Sequence, residues 1–124
     1  MPPPRIVVAC TNPETIDGLQ AYLVGVGMSS RAVRSLEAVL DAPEPGSAVV
    51  VFPDAFGIES VVRWALAIRE KWPELLLLLV TREPQRFSTA LLKERGLPSL
   101  VVLPKPVFGW TIVDVIRVHT DDSC

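Results

Sequence analysis

The sequence predicts an α/β protein, a parallel sheet covered by helices on both faces. Three observations carry that prediction. The apolar runs 6–9, 48–52 and 75–80 are too short for helix cores, and they lack the alternation of strands with one wet face. Between them, apolar residues recur at helical spacing. Proline and glycine, with 12 prolines in the chain, stand where one pattern gives way to the other.

The first strand is Ile6-Val7-Val8-Ala9, followed by Asn12, a good helix cap, and Pro13, a residue suited to a helix's first position. Ile16, Leu19 and Leu23 then mark one helical face until Gly25 and Gly27 stop it. Residues 30–33 form a second, weaker strand, and Ser35 caps a short helix through Leu40. Residues 42–46 are a loop, and the third strand, 48–52, ends on Pro53-Asp54. Ile58, Val61, Ala65, Ile68 and Trp72 share one stripe of a helix that Pro73 ends, with Arg63, Glu70 and Lys71 left to solvent. On this spacing Trp72 belongs to the core and Trp64 to the edge of the stripe. The run 75–80 is the fourth strand, where pattern outweighs leucine's modest strand propensity. A helix over 85–95 turns Phe87, Ala90 and Leu91 inward and stops at Gly96. Residues 100–103 make a fifth strand, and 110–119 the last helix, with Ile112, Val115, Ile116 and His119 on one side.

Strand and helix thus alternate five times, which gives a doubly wound, flavodoxin-like (βα)5 fold with a five-stranded parallel sheet in the order 2-1-3-4-5. The 124 residues fit one domain, with a flexible N-terminus at 1–5, the folded unit at 6–120 and a C-terminal tail at 121–124. Twelve Lys and Arg against 14 Asp and Glu leave a net charge of -2, no basis for attraction to nucleic acid or anionic lipid. No apolar run approaches the ~20 residues that span a membrane. Two cysteines build neither a disulfide framework nor a zinc site, so a reducing cytoplasm is the expected setting.

In such a sheet, ligands bind at the carboxyl ends of the strands. Those ends carry Cys10-Thr11-Asn12, Asp54, Thr81-Arg82 and Lys105-Pro106. A carboxylate, a hydroxyl and an ammonium converging there suit acceptance of a phosphoryl group on Asp54 and its retention by Thr81 and Lys105. In these residues and spacings the sequence resembles the receiver domain of two-component response regulators. Asp54 stands at the phospho-acceptor position, Thr81 at the hydroxyl position 27 residues on, Lys105-Pro106 at the Lys-Pro motif 24 further on, and Pro13 at the proline after strand one. The resemblance spans nearly the whole chain and implies a signalling module with no enzyme activity of its own.

The departures from the family pattern bear on function. The acidic pair that helps bind magnesium falls on Cys10 and Thr11, and the next carboxylate is Glu14. Magnesium is a hard cation held by carboxylates and water, so Asp54 alone should bind it poorly and phosphoryl transfer should be slow. Beside Thr81, where receivers carry a small residue, stands Arg82, whose long side chain can fill the phosphoryl's space. The aromatic switch position of strand five is Val102, and Pro53 removes a backbone donor before Asp54.

The expected function is therefore that of a pseudo-receiver, which signals through protein contacts without phosphorylation. Its partner is another signalling protein, such as a histidine kinase or a scaffold, or a second copy, met through helix four, strand five and helix five. Val102, Val107, Phe108 and Trp110 are the candidate interface residues. The alternative is a phospho-accepting single-domain response regulator with Asp54 as acceptor and Mg2+ as cofactor. Plainer roles exist for each residue: Asp54 and Lys105 as a loop-fixing ion pair, Thr81 as a partner for backbone groups, His119 as a packing residue. Cys10 lacks the arginine and glycines of a phosphate-cradling loop, and no glycine-rich turn after strand one favours a nucleotide or flavin.

Overall fold

A computed structural model describes residues 5–41, 46–92, 100–105 and 107–122. Residues 42–45 of the expected loop at 42–46, the end of helix four with Gly96, Pro106 of the Lys-Pro pair, and all but Arg5 of the expected flexible N-terminus lie outside the described residues. The elements are β1 (Arg5–Ala9), α1 (Pro13–Gly25), β2 (Ser29–Val33), α2 (Leu36–Leu40), β3 (Ala48–Val51), α3 (Ile58–Lys71), β4 (Leu76–Thr81), α4 (Pro84–Leu92), β5 (Leu100–Pro104) and α5 (Gly109–Asp122). They form one five-stranded sheet in the order β2-β1-β3-β4-β5, and every neighbouring pair is parallel.

Strand alternation divides the core in two. Ile6, Val8, Val50 and Leu78 point to one face, where they pack with Leu19 and Leu23 of α1 and with Ile112, Val113 and Ile116 of α5. Val7, Ala9, Val51 and Leu77 point to the other, against Leu36 and Val39 of α2, Val61, Trp64 and Ile68 of α3, and Phe87 and Leu91 of α4. Both faces of the central strands are therefore dry, which is why their sequences are continuous apolar runs. Full burial of each leucine of β4 contributes roughly 1.5–3 kcal/mol relative to exposure.

The caps lie where the sequence puts them. The Asn12 side chain accepts from the backbone N–H groups of Glu14 (2.9 Å) and Thr15 (3.3 Å), and Ser35 Oγ accepts from Ala38 N–H (3.2 Å). Four details differ. Trp64 is 3% exposed and Trp72 only half-buried, the reverse of the sequence reading. Trp64 lies four residues before Ile68 on the inward stripe, whereas Trp72 caps the helix with extended φ of -136° and so turns off that stripe. Val113, beside the expected stripe of α5, is buried as well. The helix itself runs to Asp122, so the first two residues of the expected tail are helical, and Arg5 already belongs to β1.

Candidate functional site

The carboxyl edge of the sheet gathers three side chains from three strand ends. Beyond β3 the chain enters a 3-10 turn, Pro53–Ala55, in which Pro53 takes the first helical position and Asp54 the next. Thr81 closes β4 and is fully buried. Lys105 follows β5, and its backbone N–H donates to Thr81 O at 2.9 Å, which fixes the approach of the two strand ends.

Asp54 is the centre of the cluster. Its Oδ1 accepts from the Thr81 hydroxyl. Its Oδ2 accepts from the backbone N–H of Arg82 at 3.1 Å and lies 3.4 Å from Lys105 Nζ. Lys105 Nζ also stands 5.4 Å from the centroid of the Phe52 ring, an additional attraction for the ammonium. Thr81 Oγ1 in turn accepts from Glu83 N–H at 3.0 Å, so the same hydroxyl ties Asp54 to the turn that opens α4 at Pro84. Partial burial pushes the Asp54 carboxyl up. The Thr81 hydroxyl, the Arg82 N–H and the Lys105 ammonium together outweigh that effect and hold it below the usual carboxylate range.

Arg82 joins the site through its backbone, and its side chain is exposed. The β1 side is different in kind. Cys10 is buried and its Sγ accepts from Asn12 N–H at 3.4 Å, while Thr11 is exposed. A magnesium ion needs hard oxygen ligands, and this side offers a thiol engaged with backbone and one hydroxyl. Among the described residues no group of three His, Cys, Asp or Glu side chains could hold a metal ion. The residues present do not fit that ion.

The four interface candidates do not form one patch. Val102 packs into the core layer of α2, α3 and α4, and Val107 into the layer of α1 and α5. Phe108 and Trp110 are 59% and 53% exposed, and their rings stack nearly parallel, 7° apart with centroids separated by 4.2 Å. His119 is half-buried near the end of α5.

Sequence reasoning missed Arg69, which is buried on α3. Its Nη1 donates to the carbonyl oxygens of Pro73 and Leu75, both at 2.8 Å, and of Trp72 at 3.4 Å. It caps the carboxyl end of α3 and holds the turn into β4. The signal available was a cation in the helix's last turn just before proline.

No protein-family model matches the chain, and no curated protein matches it in sequence. Solved structures do match in fold. A sensor protein from Polaromonas sp. JS666 superposes with a TM-score of 0.81 at 19% identity, covering 98% of both chains. A response regulator receiver protein from Sinorhizobium medicae WSM419 gives 0.78 at 15% identity, over 96% of this chain and 95% of its own. The BeF3-activated DrrB receiver domain gives 0.75 at 16% identity, over 96% and 98%. The chain therefore has the flavodoxin-like (βα)5 fold found in receiver domains, with Asp54, Thr81 and Lys105 joined at its carboxyl edge.

Proposed function

We propose that the chain is a receiver-type signalling module, not an enzyme, that acts by protein contact with Asp54 unmodified. The observation that carries this reading is the engagement of both Asp54 oxygens by Thr81, the Arg82 N–H and Lys105, opposite a β1 edge that offers no carboxylate. Attack by a carboxylate oxygen on a phosphoryl group needs that oxygen free and the incoming charge neutralised. Lys105 supplies one positive charge, and the β1 side adds no hard ligand to recruit a second. In this reading the cluster is a permanent brace for the β4–α4 turn. Output runs through the exposed Phe108–Trp110 pair to another signalling protein, a histidine kinase, a scaffold or a second copy of this chain.

A second reading is favoured by the cluster's composition. An acceptor carboxylate, a hydroxyl and an ammonium in mutual contact are the groups that would receive and hold a phosphoryl group, and the fold matches a receiver domain solved in a BeF3-activated form. In that case Asp54 is the acceptor in a phosphorelay. Incubation with magnesium and acetyl phosphate, read by intact mass, separates the two. The first reading expects the unmodified mass. Stoichiometric addition of one phosphoryl group, lost in Asp54→Asn, would establish the second.

A further inference from the structure

We infer that the Phe108–Trp110 stack, together with Asp114, is a docking site for an arginine-bearing segment of a partner protein. The inference rests on the reading that this patch is the contact surface, and it names the chemistry of what binds there.

Both rings are more than half exposed although each covers part of the other. Stacked in parallel, they form a slab whose free faces carry the negative side of the aromatic quadrupole. The backbone that carries the slab is packed closely against α1. Gly109 between the two rings lies so close to α1 that a Cβ there would sit 2.8 Å from Tyr22 Cδ1. The backbone is thus pressed onto Tyr22 while its two neighbours project outward.

Asp114 supplies the charge. It stands four residues beyond Trp110 on α5, one turn along the same face, and helical side chains lean toward the N-terminus, which brings its carboxylate toward the indole. Asp114 is exposed, and its side chain forms no ion pair or hydrogen bond among the described residues. Arg117, three residues further along α5, has an interaction of its own. A guanidinium is planar, stacks on an aromatic face and presents N–H groups at its edge. Laid on Trp110, it would meet the Asp114 carboxylate at that edge, so one group satisfies both features. An acidic segment would meet repulsion from Asp114, and an apolar one would leave that charge without a counterpart.

The test is an NMR titration of the full chain at low salt, following the Trp110 indole N–H and, in every variant, the backbone amides of Phe108, Gly109 and Asp114. The probe is a capped Gly-Arg-Gly-Arg-Gly peptide, with citrulline and glutamate analogues as controls. Saturable shifts are expected with the arginine peptide alone, about threefold weaker in Asp114→Asn and absent in Trp110→Ala. Gly109→Ala, which keeps both rings but displaces the slab, should also weaken binding. Equal shifts with the citrulline peptide, or none with arginine, would overturn the inference. If a proline-rich or aromatic peptide shifts Trp110 instead, the contact surface stands and its arginine specificity falls. If no peptide shifts it and a kinase or scaffold binds Trp110→Ala as tightly as wild type, the contact surface itself is misplaced.

Discussion

Thr81, fully buried at the end of β4, donates its hydroxyl to Asp54 Oδ1 and accepts from the backbone N–H of Glu83 with the same oxygen. One side chain therefore links the candidate acceptor to the first turn of α4. Because Arg82 N–H also donates to Asp54, three successive residues of the β4–α4 turn are organised by a single carboxylate.

Thr81→Val keeps the shape of the side chain and removes both hydrogen bonds, leaving Glu83 N–H and one Asp54 oxygen without their partner. Urea unfolding should show a loss of about 1–3 kcal/mol. In a double-mutant cycle with Asp54→Ala, which removes the acceptor, the two losses should sum to more than the double variant's, since both residues act through the same bond. Strict additivity would show that the contact carries no energy.

The pH dependence follows from the direction of the Asp54 shift. Its pKa is depressed in the folded state, so ionised Asp54 contributes stability above the unfolded value of about 4. That contribution is lost as pH falls through the folded value. The stability difference between wild type and Asp54→Asn should be constant near neutrality, about 1 kcal/mol after allowance for solvent screening, and should vanish in acid. A difference that grew on acidification would contradict the assignment.

Arg69→Leu tests the buried cap. It removes the donor that holds the Pro73 and Leu75 carbonyls, and it also relieves the cost of burying a cation, which already lowers the Arg69 pKa. The lost hydrogen bonds should dominate, at about 1–3 kcal/mol by thermal or chemical unfolding, with faster amide exchange in the α3–β4 turn. Unchanged exchange there would mean that the turn holds itself.

Much of this was legible in the sequence, for definite reasons. The runs at β3 and β4 are buried on both faces, so no other element suits them, and Asn12 and Ser35 cap helices through bonds only a few residues long. Asp54, Thr81 and Lys105 could be placed together because each ends a strand or lies within three residues of its end, and parallel strands bring such positions to one edge. Side-chain direction beyond helix ends was not legible. Trp72 leaves its stripe because the backbone changes at the cap, and Arg82 contributes a backbone N–H where the sequence displays only its guanidinium. Val102 and Val107, five residues apart, fall on opposite layers because the chain leaves β5 between them.

The central claim is that the β1 edge cannot complete a magnesium site with Asp54. A magnesium titration followed through the backbone amides of Cys10, Asp54 and Thr81 tests it most directly, with a Cys10→Asp, Thr11→Asp double variant as the positive arm. Wild type should give no saturable shift at about 20 mM magnesium, whereas the variant should acquire one that Asp54→Asn abolishes. Saturable binding by wild type at those amides, lost in Asp54→Asn, would contradict the claim.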